Sequence, residues 1–229
     1  MSAALPFVVF DVDGTLVDSQ HTIAASMATA FDLNGYPRPD LRDVRRVVGL
    51  SLVEAVARLL PKEPESRHAT VAEDYKAAFF ELRNRPGHDD PLFPGARDVV
   101  SRLDAAGYQL GICTGKSRRG LVAVLTHHGL SAHFVTAQTA DRHPGKPHPA
   151  MLRQAMAEAG AKPATTVLVG DTSFDMAMAR NAGVAPIGVS WGYHEVVELT
   201  DSGADVVINH FDDLLAEVEA LIGSPANTS

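Results

Sequence analysis

The stretch DVDGTLVDS, residues 11–19, gives the strongest single indication of the fold. It follows the apolar run FVVF at residues 7–10 directly, and its first and third residues are acids. A short, continuously apolar run is typical of a parallel strand that is buried on both faces. Ligands bind beyond the carboxyl ends of such strands, so Asp11 and Asp13 stand where a functional site is expected.

Further strand candidates share this short apolar pattern and lie at residues 110–113, 167–169, 185–189 and 205–208, with a weaker one at 133–136. Amphipathic stretches between them predict helices at residues 96–106, 118–128, 149–160, 173–182 and 212–222. This alternation of strands and helices predicts an α/β fold, whose core is a Rossmann-like, doubly wound parallel sheet.

One long segment after the first strand breaks the alternation. Ile23, Met27 and Phe31 repeat at helical spacing there, and no convincing strand is found before about residue 85. The segment ends in a Gly- and Pro-rich stretch that is typical of a hinge. We therefore predict a helical insert at residues 18–87, and a core made of residues 1–17 and 88–229.

The composition excludes several classes of protein. The chain has 229 residues, 45% of them hydrophobic, which is enough for a substantial core. Its net charge of -8 argues against a general nucleic-acid binder, because such proteins need a positive field. The single cysteine, Cys113, allows no internal disulfide, and the N-terminus has neither a basic signal-peptide region nor a membrane-length apolar run. We expect a cytoplasmic monomer or homodimer without nucleic-acid or membrane partners.

Polar side chains follow the predicted strands at two further places. Thr114 follows the second apolar run, Asp171 follows the run at residues 167–169, and Asp175 lies four residues further on. Lys146 lies in the loop before that run. Carboxylates clustered at one rim repel each other unless a cation lies among them. Oxygen ligands of this kind suit Mg²⁺, which is often held by one or two carboxylates and a substrate phosphate.

The same residues suit phosphoryl transfer, which depends mainly on positioning and charge neutralisation. A carboxylate can act as a nucleophile and form an acyl-phosphate. A second acid two residues away, Asp13, can protonate the leaving oxygen and then activate water. Thr114 can hold phosphate oxygens, and Lys146 can offset the charge on the phosphoryl group.

Four motifs, DVDGTLVDS, ICTGKS, GKPHP and VGDTSFDM, resemble in this order the four motifs of the haloacid dehalogenase superfamily. The resemblance covers nearly the whole chain, and the helical insert looks like that superfamily's small α-helical cap. It implies that Asp11 is the nucleophile and an Mg²⁺ ligand. It implies that Asp13 is the general acid/base and binds Mg²⁺ through its carbonyl oxygen. Thr114 matches the phosphate-binding threonine, and Lys146 matches the charge-neutralising lysine.

The fourth motif supplies the remaining metal residues. Asp171 matches the metal-binding acid, and Asp175 matches the acid that orients metal waters and the lysine, so that it contacts the metal directly or through water. Each residue also has a simpler interpretation. Asp13 and Gly14 suit a turn, Lys146 a solvated loop, and Asp175 a helix N-terminus.

The resemblance further implies a phosphatase for a small phosphorylated metabolite, most similar to the phosphoglycolate phosphatases. Gly49 and Ser51, in VVGLSL at residues 47–52, match their substrate-facing loop, and Gly115 occupies a position where many relatives carry asparagine. The alternatives are a β-phosphoglucomutase-type phosphomutase, a pyrophosphatase, a nucleotidase, or a non-catalytic binding protein of the same fold. Lys116, Arg118 and Arg119 suit either the steering of anions or a solvated helix start.

Overall fold

The computed structural model describes residues 5–225 and contains one six-stranded sheet. The strands are β1 Phe7–Phe10, β2 Gln109–Thr114, β3 Thr136–Thr139, β4 Thr166–Gly170, β5 Ala185–Val189 and β6 Val206–Ile208. They lie in the order β3-β2-β1-β4-β5-β6, and all neighbours are parallel. This confirms the doubly wound α/β class. The chain order reverses between β1 and β4, which is where such sheets bind ligands.

Ten α-helices are found among the described residues. Those between β1 and β2 are α1 Gln20–Leu33, α2 Leu41–Arg45, α3 Leu52–Leu59, α4 Glu65–Arg83 and α5 Ala96–Ala105. Those that follow are α6 Arg118–His127, α7 Ala150–Ala159, α8 Ser173–Ala182, α9 Val196–Asp201 and α10 Leu214–Ile222. None of the helices in the described part of the chain combines the length and the apolar character that a membrane crossing requires.

The sheet is buried on both faces, as the apolar runs predict. Val8 and Phe10 of β1 pack into one apolar cluster, and Phe7 and Val9 pack into the other. Successive side chains of a strand point to opposite faces, so a strand covered on both sides needs an unbroken apolar run. This is why FVVF at residues 7–10 shows no alternation.

Helices α1 to α4 form the predicted helical insert, which we call the cap. They have an apolar cluster of their own, in which Ile23, Met27 and Phe31 of α1 pack with Val71 of α4. Residues 18–87, all of which the structure describes, hold helices and turns and no ladder of paired strands. The division into a core and a cap domain at residues 18 and 87 remains a prediction.

The weak strand candidate at residues 133–136 is wrong. The strand is three residues later, at Thr136–Thr139, and Ser131–His133 form a single 3₁₀ turn. The reason is that β3 has the sequence TAQT, so its buried side chains are mostly polar and form no apolar run. Its polar side chains instead bond one another, and Gln138 donates to the Thr136 hydroxyl at 2.8 Å. Helix α9 has only six residues and was not predicted.

Candidate active site

The acids that the motifs single out meet at the switch point of the sheet. Asp11 follows β1 and Asp171 follows β4, and these strands are hydrogen-bonded neighbours in which Phe10 pairs with Val169. One carboxylate oxygen each from Asp11, Asp171 and Asp175 lie within 4.8 Å of one another, and all three residues are buried. The structure therefore brings together side chains that are up to 164 positions apart in the sequence.

Lys146 lies at the centre of this cluster and is not in a solvated loop. Its side chain is 0% exposed, and its Nζ is 2.9 Å from Asp11 Oδ2 and 2.6 Å from Asp175 Oδ1. Burial alone would lower the pKa of the Lys146 ammonium, but the two carboxylates raise it above its ordinary value. Lys146 thus carries a positive charge at any physiological pH.

Asp11 has one carboxylate oxygen that is paired and one that is not. Oδ2 contacts Lys146, whereas Oδ1 is buried without a hydrogen-bond partner among the described residues. Burial raises the pKa of Asp11 to about 7, Lys146 opposes the shift, and the charge on Asp175 adds to it. A buried, unpaired carboxylate oxygen beside other carboxylates is a favourable position for a cation.

Asp171 is held firmly by two donors. The Thr15 hydroxyl donates to its Oδ1 at 2.8 Å, and the Tyr193 backbone N–H donates to its Oδ2 at 2.9 Å. Burial, and then the charges on Asp11 and Asp175, raise the pKa of Asp171 well above its ordinary value. This carboxylate is fixed in orientation, but its negative charge is poorly compensated by the protein.

Asp175 has both of the roles that the sequence suggests for it, at a helix N-terminus and beside the lysine. It is in the first turn of α8, and its Oδ2 accepts from the Thr172 backbone N–H at 3.1 Å and from the Thr172 hydroxyl at 2.6 Å. Its Oδ1 contacts Lys146. Asp175 therefore caps a helix and orients the buried lysine at the same time.

Asp13 lies at the mouth of the cluster and faces a different cation. Its Oδ1 accepts from the Ser19 hydroxyl at 2.5 Å and is 2.8 Å from Lys116 Nζ. Lys116 is not at a solvated helix start, because its side chain is 6% exposed and lies 4.7 Å from the ring centroid of Phe79 in the cap. Both polar contacts use Oδ1, so Oδ2 of Asp13 is available to a ligand.

Thr114 ends β2 beside these acids and is 1% exposed. Its hydroxyl accepts a hydrogen bond from the Lys116 backbone N–H at 3.2 Å. The hydroxyl hydrogen stays available for a ligand oxygen. Thr114, Asp11 and Asp13 all line one cleft, in agreement with their predicted proximity.

Gly14 is required by the way the first motif packs against the fourth. It has a φ of +86°, and a Cβ built on its backbone would overlap the Asp171 carboxylate. Only glycine adopts this backbone conformation readily and leaves room for the acid. The turn interpretation of Asp13 and Gly14 is therefore compatible with a site, because the turn is what allows Asp171 to approach.

The cap loop, residues 47–52, lies directly on the core loops. A Cβ at Gly115 would be 2.7 Å from the carbonyl oxygen of Leu50, and one at Gly145 would be 2.9 Å from the backbone nitrogen of Ser51. No side chain fits at position 115 in this arrangement, which gives a physical reason for glycine there. Gly49 and Ser51 thus line the same cleft as the acids, and their contact with substrate remains a prediction.

The cleft between cap and core has a volume of about 650 Å³. Its floor includes Asp11, Asp13 and Thr114, and its opposite wall comes from the cap. A cleft of this size lies within the range of roughly 300–1,000 Å³ that is typical of small-molecule sites.

Four contacts that orient the acids come from outside the predicted site residues. They are made by the side chains of Thr15, Ser19 and Thr172 and by the Tyr193 backbone N–H. Thr15 and Ser19 are in DVDGTLVDS, so their position beside the acids was a usable signal. The Tyr193 contact is made by a backbone amide, which no side-chain pattern could indicate.

The contacts within the cluster are those of a cation site. Three carboxylates converge, Asp11 Oδ1 has no partner among residues 5–225, and the ligand atoms are all oxygen. This donor set fits a hard divalent cation and does not fit a soft metal, which prefers sulfur or imidazole.

The fold and site together define a Rossmann-like α/β core with a helical cap and a carboxylate-rich cleft. A family model described as haloacid dehalogenase-like hydrolase matches residues 8–189. A protein from Dickeya dadantii named probable phosphatase IndB is 37% identical over 222 residues, which cover 95% of each chain. A phosphoglycolate phosphatase from Nitrosococcus oceani is 31% identical over 225 residues, which cover 96% of this chain and 97% of that one.

The fold is also shared with solved structures. A crystal structure of a predicted phosphatase from Clostridium acetobutylicum has a TM-score of 0.86 and 23% identity, and the match covers 96% of this chain and 100% of that one. The chain belongs to the haloacid dehalogenase-like hydrolases. The resemblance carried by the four motifs is thereby confirmed.

Proposed function

We propose that this hydrolase is a Mg²⁺-dependent phosphatase that cleaves a small phosphate monoester through an aspartyl-phosphate on Asp11. The observation that carries the proposal is the position of Asp11. Its carboxylate is at the floor of the cleft, is paired on one side with the buried Lys146, and is unpaired on the other. The relatives named phosphatase support the same reaction class.

Mg²⁺ would be held by the Asp11 carboxylate, the Asp13 carbonyl oxygen and the Asp171 carboxylate. When bound, it would neutralise negative charge on the phosphoryl group and on the acids. Both Asp175 oxygens are already in contact with Lys146 and Thr172. We therefore assign Asp175 the orientation of Lys146 and of metal-bound water, and not a direct metal bond.

In the first step, an Asp11 oxygen attacks phosphorus and the bond from phosphorus to the leaving oxygen breaks. Asp13 donates a proton to that oxygen, so that the product leaves as an alcohol. Thr114 and the amides that follow it bind the phosphoryl oxygens. Lys146 offsets the charge that accumulates on Asp11 and the phosphoryl group.

In the second step, Asp13 takes a proton from water, and the resulting hydroxide attacks the acyl-phosphate at phosphorus. The bond between Asp11 and phosphorus breaks, which releases inorganic phosphate and regenerates both carboxyl groups. Ser19 and Lys116 fix Asp13 through Oδ1, so Oδ2 is the oxygen that exchanges the proton.

The presence of Asp13 favours an oxygen leaving group, because a halide leaving group needs no proton. A phosphomutase is less favoured, since Val47, Val48 and Leu50 stand where the resembling mutases carry arginines. Phosphoglycolate is the reference substrate, because relatives are named phosphoglycolate phosphatase and the sequence motifs favour a phosphoglycolate-like ester. Pyrophosphate and nucleoside monophosphates are the alternatives to assay beside it.

The proposal is tested by hydrolysis of p-nitrophenyl phosphate after chelation and stepwise return of Mg²⁺. We expect activity only with metal, and none in Asp11→Asn, because an amide is a poor nucleophile. Asp18→Asn is the matched control, since Asp18 is in the same motif but its carboxylate bonds Gln20 at 3.2 Å. Metal-independent hydrolysis, or turnover by folded Asp11→Asn near the wild-type rate, would overturn the proposal.

A further inference from the structure

The cap side of the cleft differs chemically from the floor. Its lining is aliphatic and aromatic: Ile23 and Met27 from α1, Val44 from α2, and Tyr75 and Phe79 from α4. The floor carries the acids and Thr114. A molecule that places its phosphate on the floor therefore places the rest of its atoms against an apolar wall.

From this wall we infer that the organic part of the substrate is uncharged and carries a ring, an inference that rests on the proposed phosphatase function. The substrate class is a phosphate monoester of a ring-bearing neutral alcohol. A two-carbon acid such as phosphoglycolate would fill little of a cleft of about 650 Å³.

The basic side chains that line the cleft already have partners. Lys116 pairs with Asp13, Lys76 with Glu73 at 2.7 Å, and the Arg83 guanidinium donates to the Gly120 carbonyl at 3.2 Å. The fourth, Arg119, stacks on the Phe80 ring at 3.6 Å. A carboxylate on the substrate would gain a cation only by sharing or displacing one of these contacts, and against the apolar side chains alone it would be desolvated without compensation.

The aromatic part of the wall suits a ring. The Tyr75 and Phe79 rings are neighbours, with centroids 5.8 Å apart and planes inclined by 30°. Such faces stack on other rings in offset or edge-on geometry. Tyr75, Ser51 and Asn84 also line the cleft and offer uncharged polar contacts. These contacts match hydroxyl or amide groups on a neutral ring system.

The test compares alkyl phosphates whose leaving groups all need protonation, so that chemistry at Asp13 is the same for each. The probes are phosphoglycolate, 2-phenylethyl phosphate and uridine 5′-monophosphate, assayed with saturating Mg²⁺. We expect kcat/KM for at least one ring-bearing ester to exceed that for phosphoglycolate by about tenfold or more.

Two variants of the wall test its role directly. Phe79→Ala should lower the ratio of kcat/KM for the ring-bearing ester over phosphoglycolate by about tenfold, through loss of a stacking face. Val48→Lys, which adds a cation beside the cleft, should lower the same ratio by raising phosphoglycolate turnover. Leu33→Ala is the control, because Leu33 is in the cap, 69% exposed and away from the cleft. The ratio should not change in this variant.

The outcomes separate this inference from the proposed function. If the wild-type protein hydrolyses phosphoglycolate at least as efficiently as both ring-bearing esters, the inference is overturned and the phosphatase proposal stands. If it hydrolyses no phosphate monoester, p-nitrophenyl phosphate included, both fall. The role of the wall would also be overturned if Phe79→Ala and Val48→Lys kept the wild-type ratio of kcat/KM for the ring-bearing ester over phosphoglycolate.

Discussion

Replacing Lys146 with methionine should strongly destabilise the folded protein. Methionine has a similar length and no charge, so the change removes the ammonium without leaving a large cavity. Asp11 and Asp175, now 2.9 and 2.6 Å from that ammonium, would face each other in a buried site without compensation. Removing one partner of a buried ion pair typically costs about 3–5 kcal/mol. We expect a loss of this size in the free energy of unfolding, measured at pH 8 with a metal chelator.

The loss should depend on pH in a defined direction. The pKa of Asp11 rises from an ordinary 3.8 to about 7 in the folded protein, so between these pH values the folded state binds more protons than the unfolded state. Asp11 therefore lowers stability progressively as the pH rises through this window. Without Lys146, which lowers the pKa of Asp11, the folded pKa is higher still. The difference between variant and wild type should be largest at pH 8 and smaller at pH 5.

Urea denaturation at pH 5 and pH 8, in chelator, measures both effects. Lys62→Met is the matched control, because Lys62 is an exposed lysine between two cap helices, and it should change stability by no more than about 0.5 kcal/mol. Adding Asp175→Asn to Lys146→Met should recover part of the loss, because one of the two uncompensated charges is then gone. A loss below about 1 kcal/mol at pH 8, or an equal loss at both pH values, would refute the reasoning from buried charges.

Three further results are expected. Asp13→Asn should slow turnover by roughly a hundred- to ten-thousand-fold. With p-nitrophenyl phosphate, whose leaving group needs little protonation, this variant should accumulate phosphoenzyme, which intact-protein mass spectrometry at low pH detects. Normal hydrolysis without detectable phosphoenzyme would contradict the role of Asp13. Ca²⁺ should support hydrolysis poorly because its coordination is larger and looser, so rates equal to those with Mg²⁺ would count against a carboxylate nucleophile held by the metal. Substituting Gly49 or Ser51 should change kcat/KM ratios across a panel of phosphate esters, and flat ratios would remove the cap loop from substrate choice.

The sheet was predictable because its central strands are buried on both faces. Burial on two sides demands an unbroken apolar run, and β1, β2 and β4 each have one. The same rule fails at β3, an edge strand of sequence TAQT whose polar groups bond each other and Glu158. The position of β3 is set by pairing with β2, and a single sequence carries no direct signal for such pairing.

The candidate site was predictable to the extent that it depends on strand ends. Asp11, Thr114 and Asp171 each follow a recognisable strand, and parallel topology then brings them to one edge. The contacts that orient these side chains are harder to predict from the sequence. Thr15 bonds Asp171 across 156 positions of sequence, and the Tyr193 contact to the same acid uses a backbone N–H. These contacts follow from the packing of loops, which residue types alone do not specify.

The charges in the buried cluster give a physical reason for the divalent cation that the proposed mechanism requires. Asp11, Asp171 and Asp175 supply three carboxylates, and Lys146 supplies one ammonium, so the fully ionised cluster would carry two uncompensated negative charges. The protein itself does not balance them, and the raised pKa values of Asp11 and Asp171 follow from that imbalance together with burial. One divalent cation would balance them. The same ion would favour the ionised form of Asp11 over the protonated form, and nucleophilic attack on phosphorus requires the ionised form. The charge imbalance within the buried cluster and the cation that the proposed chemistry needs are thus two aspects of one arrangement.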